Sequence, residues 1–167
     1  MNPSLKDINK LARRIPQRLE RYLEAEMHVP VTELIHQDER PKRLPLKDVT
    51  SMVNISTGVD IFVVFSFEQS LIETVFSKYT EDIEIAEAEV SSALSETAGD
   101  ISNIIVGNAT ADLDPNAMDI SLSSPIIIDA GQWMTGHKEG SLSLSELSTD
   151  FGKVQVALFC PKLNELI

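Results

Sequence analysis

The sequence predicts an α+β protein, a mostly antiparallel β-sheet packed with long α-helices. Three observations carry that reading. Apolar residues recur at threes and fours in several long segments, as amphipathic helices require. Between and after them lie short runs in which β-branched and aromatic residues alternate with polar ones. The two kinds of segment do not follow one another as strict βαβ units, which disfavours a parallel sheet. The 167 residues suit one domain, 1–167, with 1–26 as an N-terminal helical segment. A chain of this length can hold a hydrophobic core without disulfides or metal.

The elements follow in order. Leu5, Ile8, Leu11, Ile15, Leu19, Tyr22 and Leu23 line one helix face, with Asn2-Pro3-Ser4 as the start signal. Pro16 lies inside the pattern and predicts a kink or two abutting helices, because proline removes a backbone donor and clashes with the preceding turn. Residues 28–36 read as extended, and Pro30 implies an edge or an irregular start. Arg40 to Lys47 holds two prolines and four basic residues and reads as a loop. Val49 to Asn54 and Val59 to Phe67 are β-rich runs around Ser56-Thr57-Gly58, a hairpin signal. Ser66 with Gln69 resembles a capping box opening a helix whose apolar side is Leu71, Ile72, Val75, Phe76 and Tyr79.

A second long helix is expected from about Glu81 or Glu84 to Asn108. Its apolar face is Val90, Leu94, Thr97, Ala98, Ile101, Ile104 and Ile105, and Gly107-Asn108 serve as terminators. Asp112 to Asn116 reads as a turn. Met118, Ile120 and Leu122 alternate with polar residues as a half-buried strand. Pro125 interrupts before Ile126 to Ile128. Leu142, Leu144 and Leu147, then Val154, Val156 and Leu158, suggest the last two strands. Trp133 reads as a core anchor.

Composition excludes several classes. Net charge is −12, unevenly spread: residues 1–47 carry ten basic and seven acidic side chains, residues 48–167 four and nineteen. So acidic a body repels phosphate backbones, and no nucleic-acid partner is expected. The positive N-terminal segment reads as a solvated helix face, the alternative being contact with an anionic partner. The longest strongly apolar run, Ile61 to Phe65, falls far short of a membrane span, and no signal-peptide core opens the chain. A cytoplasmic protein without a membrane partner is expected. Cys160 is the only cysteine and reads as a buried, inert thiol. His28, His36 and His137 are scattered, so no metal site is expected. Ser141 to Ser148 lacks a nucleophile-elbow pattern, which leaves serine hydrolysis unsupported.

One segment stands apart: Glu96-Thr97-Ala98-Gly99-Asp100-Ile101-Ser102-Asn103-Ile104-Ile105-Val106-Gly107-Asn108. At about 100° per residue, Glu96, Asp100, Asn103 and Gly107 form one stripe beside the apolar face. A carboxylate and a carboxamide three residues apart thus project side by side from a helix. Gly99 and Gly107 leave room for another surface to approach. Spacing alone also describes a solvated helix flank with chance glycines.

This segment resembles the motif helix of the CheX branch of the CheC/CheX/FliY chemotaxis phosphatases, whose pattern is approximately an acid or Ser, three residues, Glu, two residues, Asn, then Ile/Met-Ile-x-Gly-Asn; this chain offers Glu96, Asp100, Asn103 and Ile104-Ile105-Val106-Gly107-Asn108. Gly58 to Phe67 is similar to the family's strand leading into a helix, and Ile120-Ser121-Leu122-Ser123-Ser124-Pro125 to its strand and proline after the motif. The resemblance covers most of residues 14–160. It implies a CheC/CheX-like fold and hydrolysis of the aspartyl-phosphate of a CheY-like response regulator. It further implies that Asn103 directs water in line at phosphorus, that Asp100 pairs with the regulator's lysine, and that Glu96, Asp100, Asn103 and Gly107 together make the partner-binding surface. Mg²⁺ is expected on the regulator and no cofactor on this chain; a homodimer is expected by the same analogy. The family usually carries Glu where this chain has Asp100, one methylene shorter. That departure leaves a non-catalytic regulator-binding or scaffold protein as the alternative. A small-molecule-binding module is a third reading, and it requires an enclosed apolar pocket.

Overall fold

The computed structural model of the chain describes residues 4–37, 43–81, 83–113, 119–135 and 141–161. Helix α1, Leu5–Arg21, starts at Ser4, whose hydroxyl accepts from the Asp7 backbone N–H while the Asp7 carboxylate accepts from the Ser4 N–H. This reciprocal cap satisfies two donors that a helix start leaves open. Pro16 does not divide α1. It lies buried between Ile15 and Leu19, so core packing outweighs the one lost backbone bond. The irregularity comes later, as a π turn at Tyr22–Glu26.

Strand β1, Val31–Gln37, starts directly after Pro30 and lies at a sheet edge, as the proline implied. The expected loop at 40–47 contains a short strand instead: β2, Arg43–Pro45, pairs with β7, Trp133–Thr135, in a separate ribbon. The hairpin of β3, Val49–Ser56, and β4, Asp60–Phe67, matches its signal; Gly58 supplies the positive φ of +86° at the turn. Helix α2, Gln69–Tyr79, follows with Leu71, Ile72 and Val75 buried.

The Ser66–Gln69 capping box does not form, because β4 continues through Ser66. The Ser66 hydroxyl instead accepts from the Lys47 N–H at 2.6 Å and pairs with Thr50. The Gln69 N–H is met by the Asp48 carboxylate at 2.9 Å, from a residue distant in sequence.

Helix α3 spans Val90–Ala111 after a short 3₁₀ turn, Glu87–Glu89. It starts later than the sequence pattern suggested, since the acidic stretch upstream offers no apolar face and leaves Ile83 exposed. It also runs past Gly107-Asn108. Ala109, Thr110 and Leu113 are buried there, and their packing holds one more turn. Strands β5, Ser121–Leu122, and β6, Ile126–Ile128, both pair with β3 on either side of Pro125. The alternating strand expected from Met118 is thus only two residues long within the described chain. Strands β8, Ser141–Thr149, and β9, Gly152–Cys160, complete the sheet. Residues 114–118, His137 and the Trp133 side chain, on which expectations also rested, lie outside the described residues.

All pairings are antiparallel. The seven-stranded sheet runs β1-β8-β9-β4-β3-β5, with β6 also on β3. One face carries the main core: Ile61, Val63, Phe65 and Phe67 of β4 meet Leu11, Ile15 and Leu19 of α1, Leu71 and Ile72 of α2, and Ile101 and Ile105 of α3. Leu44, Val64, Leu142, Leu144 and Ala157 form a smaller cluster that the β2–β7 ribbon helps cover. Cys160 is buried as expected. The His36 Nδ1 lies 2.7 Å from the Ser145 hydroxyl, a structural contact between β1 and β8. Among the described residues no helix is long and apolar enough to cross a membrane.

Candidate functional site

Helix α3 lies across β3 and β4 with its buried side fixed at several points. Leu94, Ala98, Ile101 and Ile105 enter the core. The Ser51 hydroxyl of β3 donates to the Ala98 carbonyl at 3.1 Å and sits in short contact with the Ser102 hydroxyl, which also donates to Ala98 at 2.7 Å. This buried polar clamp fixes the helix's height and rotation over the sheet. Gly99 works inward rather than toward a partner: a Cβ there would stand 3.3 Å from the Pro125 Cβ and 3.7 Å from Ile127 Cδ1. Its small size lets the Pro125 segment pack close against the helix.

With its rotation so fixed, α3 turns Glu96, Asp100 and Asn103 outward. All three are exposed. Glu96 accepts from Ser92 Oγ at 3.3 Å. The Asp100 and Asn103 side chains make no hydrogen bond or ion pair with any described residue. A carboxylate and a carboxamide on neighbouring turns, both unengaged, can receive a cation and orient a water or hydroxyl. Gly107 continues the stripe over open space, since a Cβ there would meet nothing within 4 Å. The stripe therefore forms as expected and brings all four residues onto one surface. Ile104 joins it: expected on the apolar face, it is 37% exposed beside Asp100 and Gly107.

Tyr22, near Asp100, and Tyr79, beside Tyr22, were not singled out by sequence as site residues. The Tyr22 phenol is pushed up from its ordinary value, by burial first, then by the neighbouring Tyr79 hydroxyl, with Glu26 and Asp100 adding to it. Tyr22 comes from the π turn and Tyr79 from the end of α2, so α2 meets the π turn at the residue that lies near Asp100. The π turn, which no composition signal announces, places Tyr22 there. At the other end of α3, Asp112 takes a close ion pair from Arg18, and Arg14 Nη1 donates to the Asp112 carbonyl at 3.2 Å. These contacts hold the Asp112 carboxyl below the usual carboxylate range, the Arg18 hydrogen bond foremost. They also set α1 antiparallel to α3.

The sequence and fold comparisons now bear on this surface. The family model described as chemotaxis phosphatase CheX matches residues 49–145.

The chain belongs to the CheX family.

The matched span includes the whole of α3 and the β3–β4 hairpin beneath it. Solved CheX structures share the fold. The chemotaxis protein CheX of Desulfovibrio desulfuricans superposes with a TM-score of 0.71 at 16% identity, over 90% of this chain and 98% of that one. CheX of Vibrio vulnificus gives 0.68 at 16% identity, over 90% and 95%. A chain of the CheX–CheY–BeF3–Mg²⁺ complex of Borrelia burgdorferi gives 0.69 at 17% identity, over 89% and 95%. A comparison with curated protein sequences found no match.

Elsewhere, an open cleft of about 480 Å³ lies between α2, α3 and β6. Asp48, Glu87 and Asp129 line it, in contrast to the enclosed apolar pocket a small-molecule module requires. Among the described residues no three metal-ligating side chains gather into a cluster.

Proposed function

We propose that this CheX-family chain is a cytoplasmic phosphatase that hydrolyses the aspartyl-phosphate of a CheY-like response regulator. The observation that carries the reading is the pair Asp100 and Asn103, outward on one rigid helix and unengaged by any described residue. The CheX–CheY complex of Borrelia burgdorferi, similar in fold, supports a CheY-like partner.

In this mechanism α3 seats against the regulator's phosphorylated site. The Asn103 carboxamide accepts from an attacking water through its oxygen and holds that water in line with phosphorus. Asp100 receives the regulator's lysine and sets the depth and angle of docking. Mg²⁺ held by the regulator supplies charge stabilisation at the phosphoryl group. Phosphoryl transfer asks mainly for positioning and electrostatics, so no base or nucleophile from this chain is required. The same reading carries a homodimer, testable by mass in solution.

Asp100 favours one competing reading, a regulator-binding protein without turnover. Its carboxylate is one methylene shorter than the family's Glu, and the exposed helix face offers no other described group that compensates beside it except Glu96, one turn away. The decay of a phosphorylated CheY-type regulator, followed with wild type and Asp100→Glu, separates the two. Acceleration by wild type supports the phosphatase. Binding without acceleration, restored by Asp100→Glu, supports the binder.

A further inference from the structure

The outward face of α1 has no part in the mechanism above. At about 100° per residue, Lys6, Lys10, Arg13, Arg14, Gln17 and Arg21 share that face, which extends for roughly 22 Å. Lys6, Lys10, Arg13 and Arg21 are exposed and make no hydrogen bond or ion pair with a described residue. The helix's own acids offset the row only in part: Lys6 and Lys10 lie near enough to Asp7 to help lower its carboxyl. Asp7 is turned back onto Ser4, and Glu20 sits half-buried at the flank. Beyond α1, Lys47 and Lys153 are occupied with Glu68 and Glu146. Lys78 of α2 is also without such a contact, but among the described residues most of the unengaged positive charge lies on α1, in a chain whose net charge is −12.

The placement of that helix matters. Arg14 and Arg18 reach Asp112 at one end of α3, and Tyr22 lies near Asp100 toward the other. Both helices pack on the same core, α1 over β8 and β9, α3 over β3 and β4. Their outward faces therefore lie side by side, one basic, the other bearing Glu96 and Asp100.

We infer that the basic face of α1 is the second half of the docking surface, taking an acidic patch on the same response regulator that α3 addresses. This rests on the regulator-binding reading above. Charge complementarity selects a protein over a broad anionic surface. A bilayer or duplex wide enough to cover α1 would also meet Glu96 and Asp100, and Glu87 and Glu89 at the start of α3. A folded partner can set acids opposite α1 and a cation opposite Asp100. Such a two-sign match speeds association and fixes orientation.

The test titrates the full chain against a purified CheY-type regulator, phosphorylated, at about 50 mM and about 200 mM salt. Wild type and the triple variant K10E/R13E/R21E run in parallel, with circular dichroism confirming that the exposed triple is folded. The inference expects the triple variant to bind about tenfold or more weakly at low salt, with the gap narrowing at high salt. Equal binding by wild type and the triple variant overturns the role of α1 while leaving the regulator reading intact. Failure of wild type to bind overturns both. Wild-type binding to vesicles containing phosphatidylserine, abolished in the triple variant while regulator binding is not, would assign the face to a membrane instead and overturn the inference.

Discussion

At the residue scale the proposed chemistry rests on Asp100 and Asn103, whose exposure makes them separable from the fold. Neither side chain packs in the core or bonds to a described neighbour, so truncating either should leave stability within about 0.5 kcal/mol of wild type. Loss of a water-positioning carboxamide should still cost about 10²-fold or more in regulator dephosphorylation. Thermal unfolding and phosphoryl decay of Asn103→Ala check the two halves of that expectation. The pair's shared helix face was legible from spacing, which alone fits any solvated helix flank; its proposed role rests on the resemblance that Asn-Ile-Ile-x-Gly-Asn carries. Tyr22 was not legible as a neighbour of Asp100, nor Tyr79 as a neighbour of Tyr22. Their meeting depends on a π turn after α1 and on how α2 ends, and each is set by packing, with no local pattern to mark it.

Among the elements, α3 matters most, because its buried side decides what its outer side presents. Ile101 is fully buried at the centre of the helix. Ile101→Ala should cost about 2–5 kcal/mol, read from denaturant unfolding. The β8–β9 turn tests the fold at a different point. Gly152 has φ +134°, and a Cβ there would stand 2.7 Å from Ser70 Oγ and 3.0 Å from Glu68 Oε2. Gly152→Ala should therefore destabilise by about 1–3 kcal/mol, seen as a lowered Tm, since backbone strain and a clash with the start of α2 act together. Element types were largely legible from periodicity, and element ends were not. Gly107 read as a helix terminator, yet Ala109 and Thr110 find burial beyond it. Ser66 read as a cap, yet the strand consumes it and Asp48 caps α2 across the fold. In each case a tertiary contact overrode a local signal.

For the whole molecule, the sheet order β1-β8-β9-β4-β3-β5 places the last hairpin in the middle and the early strand β1 at an edge. The antiparallel class was legible from alternating strands and hairpins, but no local pattern in a single sequence reveals that order. Long-range charge pairs then tie the strands together. Glu146 is pushed up by burial, but hydrogen bonds from Lys153 and Gln155 and the nearby Lys47 outweigh this and hold it below its ordinary value. A depressed carboxyl stabilises the fold above its unfolded value, and that contribution disappears as pH falls through its folded value. Glu146→Gln should thus lower stability at neutral pH by about 1 kcal/mol, and the gap to wild type should close on acidification below the usual carboxylate range. Urea unfolding at a series of pH values measures that gap. The central claim is that α3 presents a water-positioning pair to a phosphorylated regulator. The decay of phosphorylated CheY-type regulator with wild type and with Asn103→Ala, both at concentrations that saturate binding, tests it most directly. The account predicts faster decay with wild type and decay near the unassisted rate with the variant, although both bind; equal acceleration by both proteins would contradict it.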